Sequence, residues 1–271
     1  MARALAVNVA ANTNEPGFRG PVFPDGSFAY VPIPETAPTH PAGAFPLDEP
    51  LPTYADLDLP FALPDGLPET PVHMDPEFPG VHGRTAATYG DPYPIKAGPI
   101  AELEPGDWLL FYATLSLRPA DWNGPVGEHR SATPHPAVVD DDLAPDWGAY
   151  LFAGLRVDRL LDTTDQSGSD GDTADRDAVA SLTPTNAHLK RDPFDARVVV
   201  AGDPTVSGLF DRVVPLSTPE AGAEANRLVA DLSSDSGKGP WWRRPMRFDE
   251  DATATLADRV TAVSGDNPAI R

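Results

Sequence analysis

Between Glu35 and Pro79 this chain cannot hold a regular helix. Thirty-three prolines are spread over 271 residues, and at least half of them precede Pro99. Each one removes a backbone donor and blocks the helical turn before it. The first third is therefore expected as an ordered coat of extended loops, or as partly mobile coil. Against that background one stretch stands out, Ala101 to Leu117, AELEPGDWLLFYATLSL. Pro105 and Gly106 suit the central positions of a type II turn. The run Trp108–Leu117 that follows has the length of one long strand and is too short to cross a bilayer. It is expected at the centre of a sheet.

Further strands are expected at Ala4 to Ala10, at Trp147 to Leu161, at Arg197 to Gly202 and, shorter, within Ser207 to Leu216. Gly148, Ala153 and Gly154 predict a bend or bulge in the second long strand. Pro24-Asp25-Gly26 predicts a tight turn between two short extended segments. Helix is expected only towards the end. Thr218-Pro219-Glu220 reads as a helix start with Leu228, Val229 and Leu232 on its apolar stripe. A second helix is expected from about Asp249 through the tail, with Leu256, Val260 and Val263 on one face. Asp162 to Asp177 is acidic and of low complexity, and is expected as a surface insertion away from any site. One domain over residues 1–271 accommodates all of this.

A net charge of -21, from 41 acidic and 20 basic residues, is expected to repel nucleic acid unless a local basic patch forms. Only Lys96, Lys190 and Lys238 are lysines. Dense acid with almost no lysine fits a protein of very salty cytoplasm, where screening lengths fall to a few ångströms. A hydrophobic fraction of 41% argues against an acidic disordered chain. Absence of Cys excludes disulfides, Cys-ligated zinc and a Cys nucleophile. No apolar run reaches membrane-spanning length, and the start is weak as a signal peptide, so a cytoplasmic protein is expected.

No Walker loop, GxGxxG turn, HExxH or GxSxG is present. Three polar constellations remain. On an extended segment, His73 and Asp75 of His73-Met74-Asp75 project to one side. They can serve as base and orienter or as two metal ligands; the alternative is a loop imidazole and a turn-capping carboxylate. Asn186, His188 and Lys190, read as extended, would share a face suited to a phosphate or a base edge; the alternative is an exposed polar turn. Trp241-Trp242-Arg243-Arg244-Pro245-Met246-Arg247-Phe248 can form a stacking and phosphate platform, or its Trp residues can close the core. His40, His82, His129 and His135 lie in Pro-rich loops at no ligand spacing and are expected at the surface.

The ordered series GPVFPDGSFAYVPIPE, VHMDPEF, TYGDP, LEPGDWLLFYA, WGAYLFAGLRVDRLL, NAHLKRD, VVVAGDPTVSGLFDRVVPL and WWRRPMRF resembles the third of the nucleotide modification associated domain families. Those proteins occur in phage and prokaryotic genomes beside DNA-base-modifying systems, and the acidic composition would make this a haloarchaeal-like member. The resemblance runs from about Asn8 to Phe248. The family's usual Arg-Lys-Gly-Phe-Asp start is matched here by NTNEPGFRG, which lacks the acidic residue after Phe. At fold level, the GD turn with LLFYA and the later WGAYLFAGLRV look like the strand pair of PUA and ASCH-type barrels, which hold a modified base or RNA in a cleft.

Together these readings predict an α+β protein. Its sheet would be curled and largely antiparallel, or partly closed as a PUA-like barrel, with a Pro-rich coat and C-terminal helices. What the resemblance implies is action on, or recognition of, a nucleotide base, free or in nucleic acid. His73, Asp75 and His188 are the candidate catalytic residues, with His73 as base or metal ligand. Asn186, Lys190, Arg191, Ser207, Trp241, Arg243 and Arg244 are the candidate substrate contacts, with Trp241 stacking on a base. No metal set is assigned and no cofactor is named. The alternatives are a non-catalytic reader of modified bases and a structural or partner-binding protein of a halophile.

Overall fold

Ten strands and four helices are seen in the computed structural model, which describes residues 2–124, 140–163 and 171–264. In chain order they are β1 (Ala4–Asn8), β2 (Pro21–Val22), β3 (Ile33–Pro34), β4 (Val72–His73), β5 (Thr88–Asp91), α1 (Pro94–Ala101), β6 (Trp108–Leu117) and β7 (Trp147–Asp162). After these come α2 (Gly171–Leu182), β8 (Val198–Gly202), β9 (Gly208–Pro215), α3 (Arg227–Ala230), β10 (Met246–Phe248) and α4 (Glu250–Ser264). The main sheet runs β10-β1-β6-β7-β8-β5, with β2 pairing β6 and β9 pairing β7. Only β1 and β2 run parallel to β6; the other pairings are antiparallel.

β6 is the central strand that its apolar run predicts. Leu109, Phe111, Ala113, Leu115 and Leu117 enter one core, and Trp108, Leu110 and Tyr112 enter the core on the opposite face. Apolar residues on both sides are what a strand buried on both faces requires. The turn before it is pinned by Asp107, whose carboxylate accepts the N–H groups of Arg3 at 2.9 Å and Glu104 at 3.1 Å. Gly106 sits at φ +94°, the left-handed position a type II turn reserves for glycine. The expected irregularity in β7 falls at Phe152, where Phe111 pairs with Ala153 and Tyr112 with Leu151. Bulged strands bend, and here β7 continues from β6 and β9 to β8.

The sheet does not close. Among the described residues its ends, β10 and β5, do not pair with each other, so the barrel alternative gives way to an open sheet. The Pro-rich coat is ordered over a small core of its own, in which Tyr54, Phe61, Val72 and Met74 pack together. Its backbone and side chains are tied down by bonds such as Tyr54 Oη to the Pro32 carbonyl at 2.8 Å.

Three helix expectations need correction. α1 forms despite its prolines, because Pro94 occupies the first helical position, where no N–H is needed. Ala97 and Ile100 bury it against the sheet's core. α2 covers part of the acidic insertion, held by Val179 packing with Leu189 and Val199. Thr218 does not start a helix; its hydroxyl closes a turn with Ala221. The four-residue α3 begins later, where Asn226 caps Leu228 N at 2.9 Å. The last helix, α4, starts where the sequence predicts, with Leu256 and Val260 in the core, and the expected tail beyond residue 264 lies outside the described residues.

Candidate functional site

His73 ends β4, paired with Ile33 of β3, and the chain stays extended enough for Met74 to enter the coat's core while His73 and Asp75 face the other way. His188 arrives from a distant segment, in a 3-10 turn over Ala187–Lys190. Asn186 caps that turn by accepting His188 N at 3.0 Å, so the segment is not extended as expected, and its side chains diverge. β5 lies between the two segments. Gly90 N donates to both carboxylate oxygens of Asp75 at 3.1 Å, and Asn186 Nδ2 donates to Asp75 Oδ1 at 3.2 Å. A Cβ at Gly90 would stand 2.5 Å from His188 Cδ2, so the backbone approach needs glycine.

The two imidazole rings meet edge to face, with centroids 4.8 Å apart. Each rests on its own carboxylate: His73 Nδ1 lies 2.6 Å from Glu35 Oε2, and His188 Nδ1 lies 2.6 Å from Asp195 Oδ1. His188 Nε2 turns inward, 3.4 Å from Asp75 Oδ2. Arg191 links the two outer carboxylates, donating from Nε to Glu35 Oε1 at 3.1 Å and from NH1 to Asp195 Oδ2 at 2.7 Å. One donor atom from each of His73, Asp75 and His188 can be chosen so that all three lie within 4.8 Å of one another.

Burial sets the electrostatics, and the partners decide its outcome. Burial pulls His73 below the usual imidazole range, and the bond to Glu35 restores only part of it. Burial opposes charge on His188 as well, but Asp195 and Asp75 hold its pKa at about 9. Burial would raise Glu35, yet the bonds from His73 and Arg191 hold it at about 2. Behind the site, burial lifts Glu77 to about 7, against its bonds from Thr185 and Thr88. Thr88 Oγ1 donates to Glu77 and accepts from Asn186 Nδ2, so Glu77 joins the same network.

His73, Asp75, Gly90 and His188 line a pocket of about 200 Å³ whose wall also includes Asn8, Asn12, Tyr89, Asp91, Tyr93, Lys96 and Arg191. Lys96 Nζ bonds the Asn8 carbonyl at 3.0 Å and sits 3.4 Å from Asp91. Tyr93, 66% exposed, stands at the rim. A larger hollow of about 620 Å³ between β7 and α2 offers only Glu104, Asp158, Arg159 and Ser181 as polar lining, with no imidazole among them. Of the two, the smaller brings polar groups together, in a set capable of proton transfer between two unlike imidazoles or of metal ligation.

The family model described as nucleotide modification associated domain 3 matches residues 3–258. The chain belongs to that family. The match spans every residue of the pocket, and it gives this nucleotide modification associated domain 3 protein a general nucleotide-modification-associated role. Comparison with curated proteins and with solved structures found no match. No helix among the described residues is long and apolar enough to cross a membrane.

Of the ten sequence-predicted site residues in this family member, His73, Asp75, Asn186, His188 and Arg191 come together. Arg191 is committed to Glu35 and Asp195, which uses the charge expected to meet phosphate. Lys190 leaves the pocket and donates to the Pro46 carbonyl at 3.2 Å. Ser207 accepts Arg156 N at 3.0 Å beside β7. Trp241 is wholly buried in the core on the far side of β6, its indole N–H given to the Ala223 carbonyl, so it has no face for a base. Arg244 pairs with Asp235 at 2.7 Å and Arg243 is exposed, both in the segment around that core. Expected surface positions for His129 and His135 lie outside the described residues. His40 and His82 are half-buried, His82 through bonds to Asp58 N and the Tyr30 carbonyl.

Sequence reasoning missed Glu35, Asp195, Gly90, Lys96 and Tyr93. The TYGDP motif was the one available signal for Gly90, and the rarity of lysine was the one for Lys96.

Proposed function

We propose that this protein is an enzyme that modifies the base of a nucleotide bound in the pocket. One observation carries the reading: two buried imidazoles and a carboxylate from separate segments converge on the pocket floor, each imidazole fixed by its own carboxylate. A purely structural cluster would have no need to line a cavity. The pocket is smaller than the roughly 300–1,000 Å³ of a typical drug-sized site, and so suits a single base. Asn8 and Asn12 line the pocket with amides for a base edge, Tyr93 offers an exposed ring for stacking, and Lys96, which also pairs with Asp91, is a lining cation for a phosphate. A base within a duplex would have to be flipped out to enter.

A reader of modified bases would use the Tyr93 ring equally well, but it gives no work to the paired imidazoles. The acidic composition is read with the same proposal as adaptation to a salty cytoplasm.

The test compares nucleosides. DNA, RNA and the free nucleotide pool are digested from the host, from a deletion strain, and from that strain carrying His73→Ala. Mass spectra should differ between host and deletion, and the His73→Ala strain should match the deletion. Full restoration by His73→Ala would remove His73 from the chemistry.

A further inference from the structure

Building on the reading of this pocket as the reactive site, we propose that His73, Asp75 and His188 bind one divalent first-row transition-metal ion. The ligands would be Nε2 of each imidazole and one oxygen of Asp75, leaving the remaining coordination positions open to the pocket.

The hydrogen bonds around the three residues point there. Ligating histidines almost always donate the second ring N–H to a carboxylate, carbonyl or water, which fixes the tautomer and turns the other nitrogen to the ion. Both histidines here have Nδ1 on a carboxylate at 2.6 Å. Ligating carboxylates are themselves held by hydrogen bonds, and Gly90 N and Asn186 Nδ2 hold Asp75. Arg191 then cross-links Glu35 and Asp195, so that four side chains orient three donors.

Distances agree. Metal–nitrogen and metal–oxygen bonds of about 2.1 Å give a tetrahedral ligand–ligand edge of about 3.4 Å. His188 Nε2 and Asp75 Oδ2 are 3.4 Å apart. The widest spacing within the trio, at most 4.8 Å, would have to close by up to roughly 1.4 Å to reach such an edge.

Charge also agrees. With both imidazoles neutral, as ligands must be, Glu35, Asp75 and Asp195 bring three negative charges and Arg191 one positive. The carboxylates around the three donors thus outnumber the guanidinium, a balance that a bound cation would offset, since buried charges call for compensation. Two imidazoles and one carboxylate suit zinc or non-haem iron rather than calcium or magnesium, which prefer all-oxygen sites.

The test uses the full-length chain stripped with EDTA and titrated with Zn²⁺ and with Co²⁺, by calorimetry and by the visible spectrum of bound Co²⁺. We expect one ion per chain. His73→Ala and His188→Ala should lose it, and Glu35→Gln, which keeps every ligand, should weaken it about 10- to 100-fold. Far-ultraviolet circular dichroism checks that each variant is folded, and His40→Ala should bind as the parent does. Absence of stoichiometric uptake by the parent, or equal uptake by parent, Glu35→Gln and His188→Ala, overturns the site. Failure of uptake with an altered nucleoside profile overturns the metal and leaves the enzyme reading standing; one bound ion with an unchanged profile does the reverse.

Discussion

A Cβ on Gly90 would stand 2.5 Å from His188 Cδ2 and 3.2 Å from Asn186 Oδ1. Neither neighbour can yield easily, since Asn186 caps the turn and His188 is bonded to Asp195. Gly90→Ala should therefore lower stability by about 1–3 kcal/mol, the usual cost of overfilling a packed site. Chemical denaturation checks this against Gly208→Ala, where no atom lies within 4 Å of the added carbon and the change should stay within about 0.5 kcal/mol. At this scale the sequence was legible in part. His73 and Asp75 are two apart on an extended chain, so their shared direction follows from strand geometry alone. Glu35 and Arg191, the partners of His73, arrive through tertiary contacts across 38 and 118 residues that no local spacing encodes. Arg191 could thus be read only as a free cation, although its guanidinium is spent on orienting carboxylates.

Among the elements, β6 and β7 were legible because long apolar runs leave few alternatives to a strand buried on both faces. α1 was hidden by Pro94 and Pro99, yet its first position tolerates proline and burial of Ala97 and Ile100 outweighs the weak propensity. α2 was hidden by its acidic composition; Val179 reaches Leu189, so the helix braces the very turn that carries His188. WWRRPMRF contained both answers, and the core won for Trp241. Its replacement by Ala should cost about 3–5 kcal/mol, as for other fully buried Trp residues. Arg243→Ala, on an exposed side chain, should change stability by no more than about 0.5 kcal/mol. Thermal or chemical melting of the two variants separates a core segment from a binding platform. A large loss for Arg243→Ala would mean the segment's arginines matter to the fold.

Over the whole molecule, a net charge of -21 opposes the approach of any polyanion, and Arg3, Arg191, Arg244 and Arg247, which might offset it, are paired with nearby acids. A duplex would feel that field along its length, whereas a single nucleotide brings few charges. Concentrated salt would weaken the repulsion, with a screening length of about 3 Å at 1 M. Within the proposed function, a free nucleotide is thus the substrate form that the electrostatics favour over a base in a duplex. The central claim is that the nucleotide's base enters the pocket over His73 and His188. Its most direct test is to follow the imidazole ¹H–¹⁵N resonances of the full-length protein while nucleoside 5′-monophosphates are added. We predict saturable shifts at His73 and His188, with His40 and His82 unmoved. Shifts confined to other histidines, or none at saturating nucleotide, would contradict it.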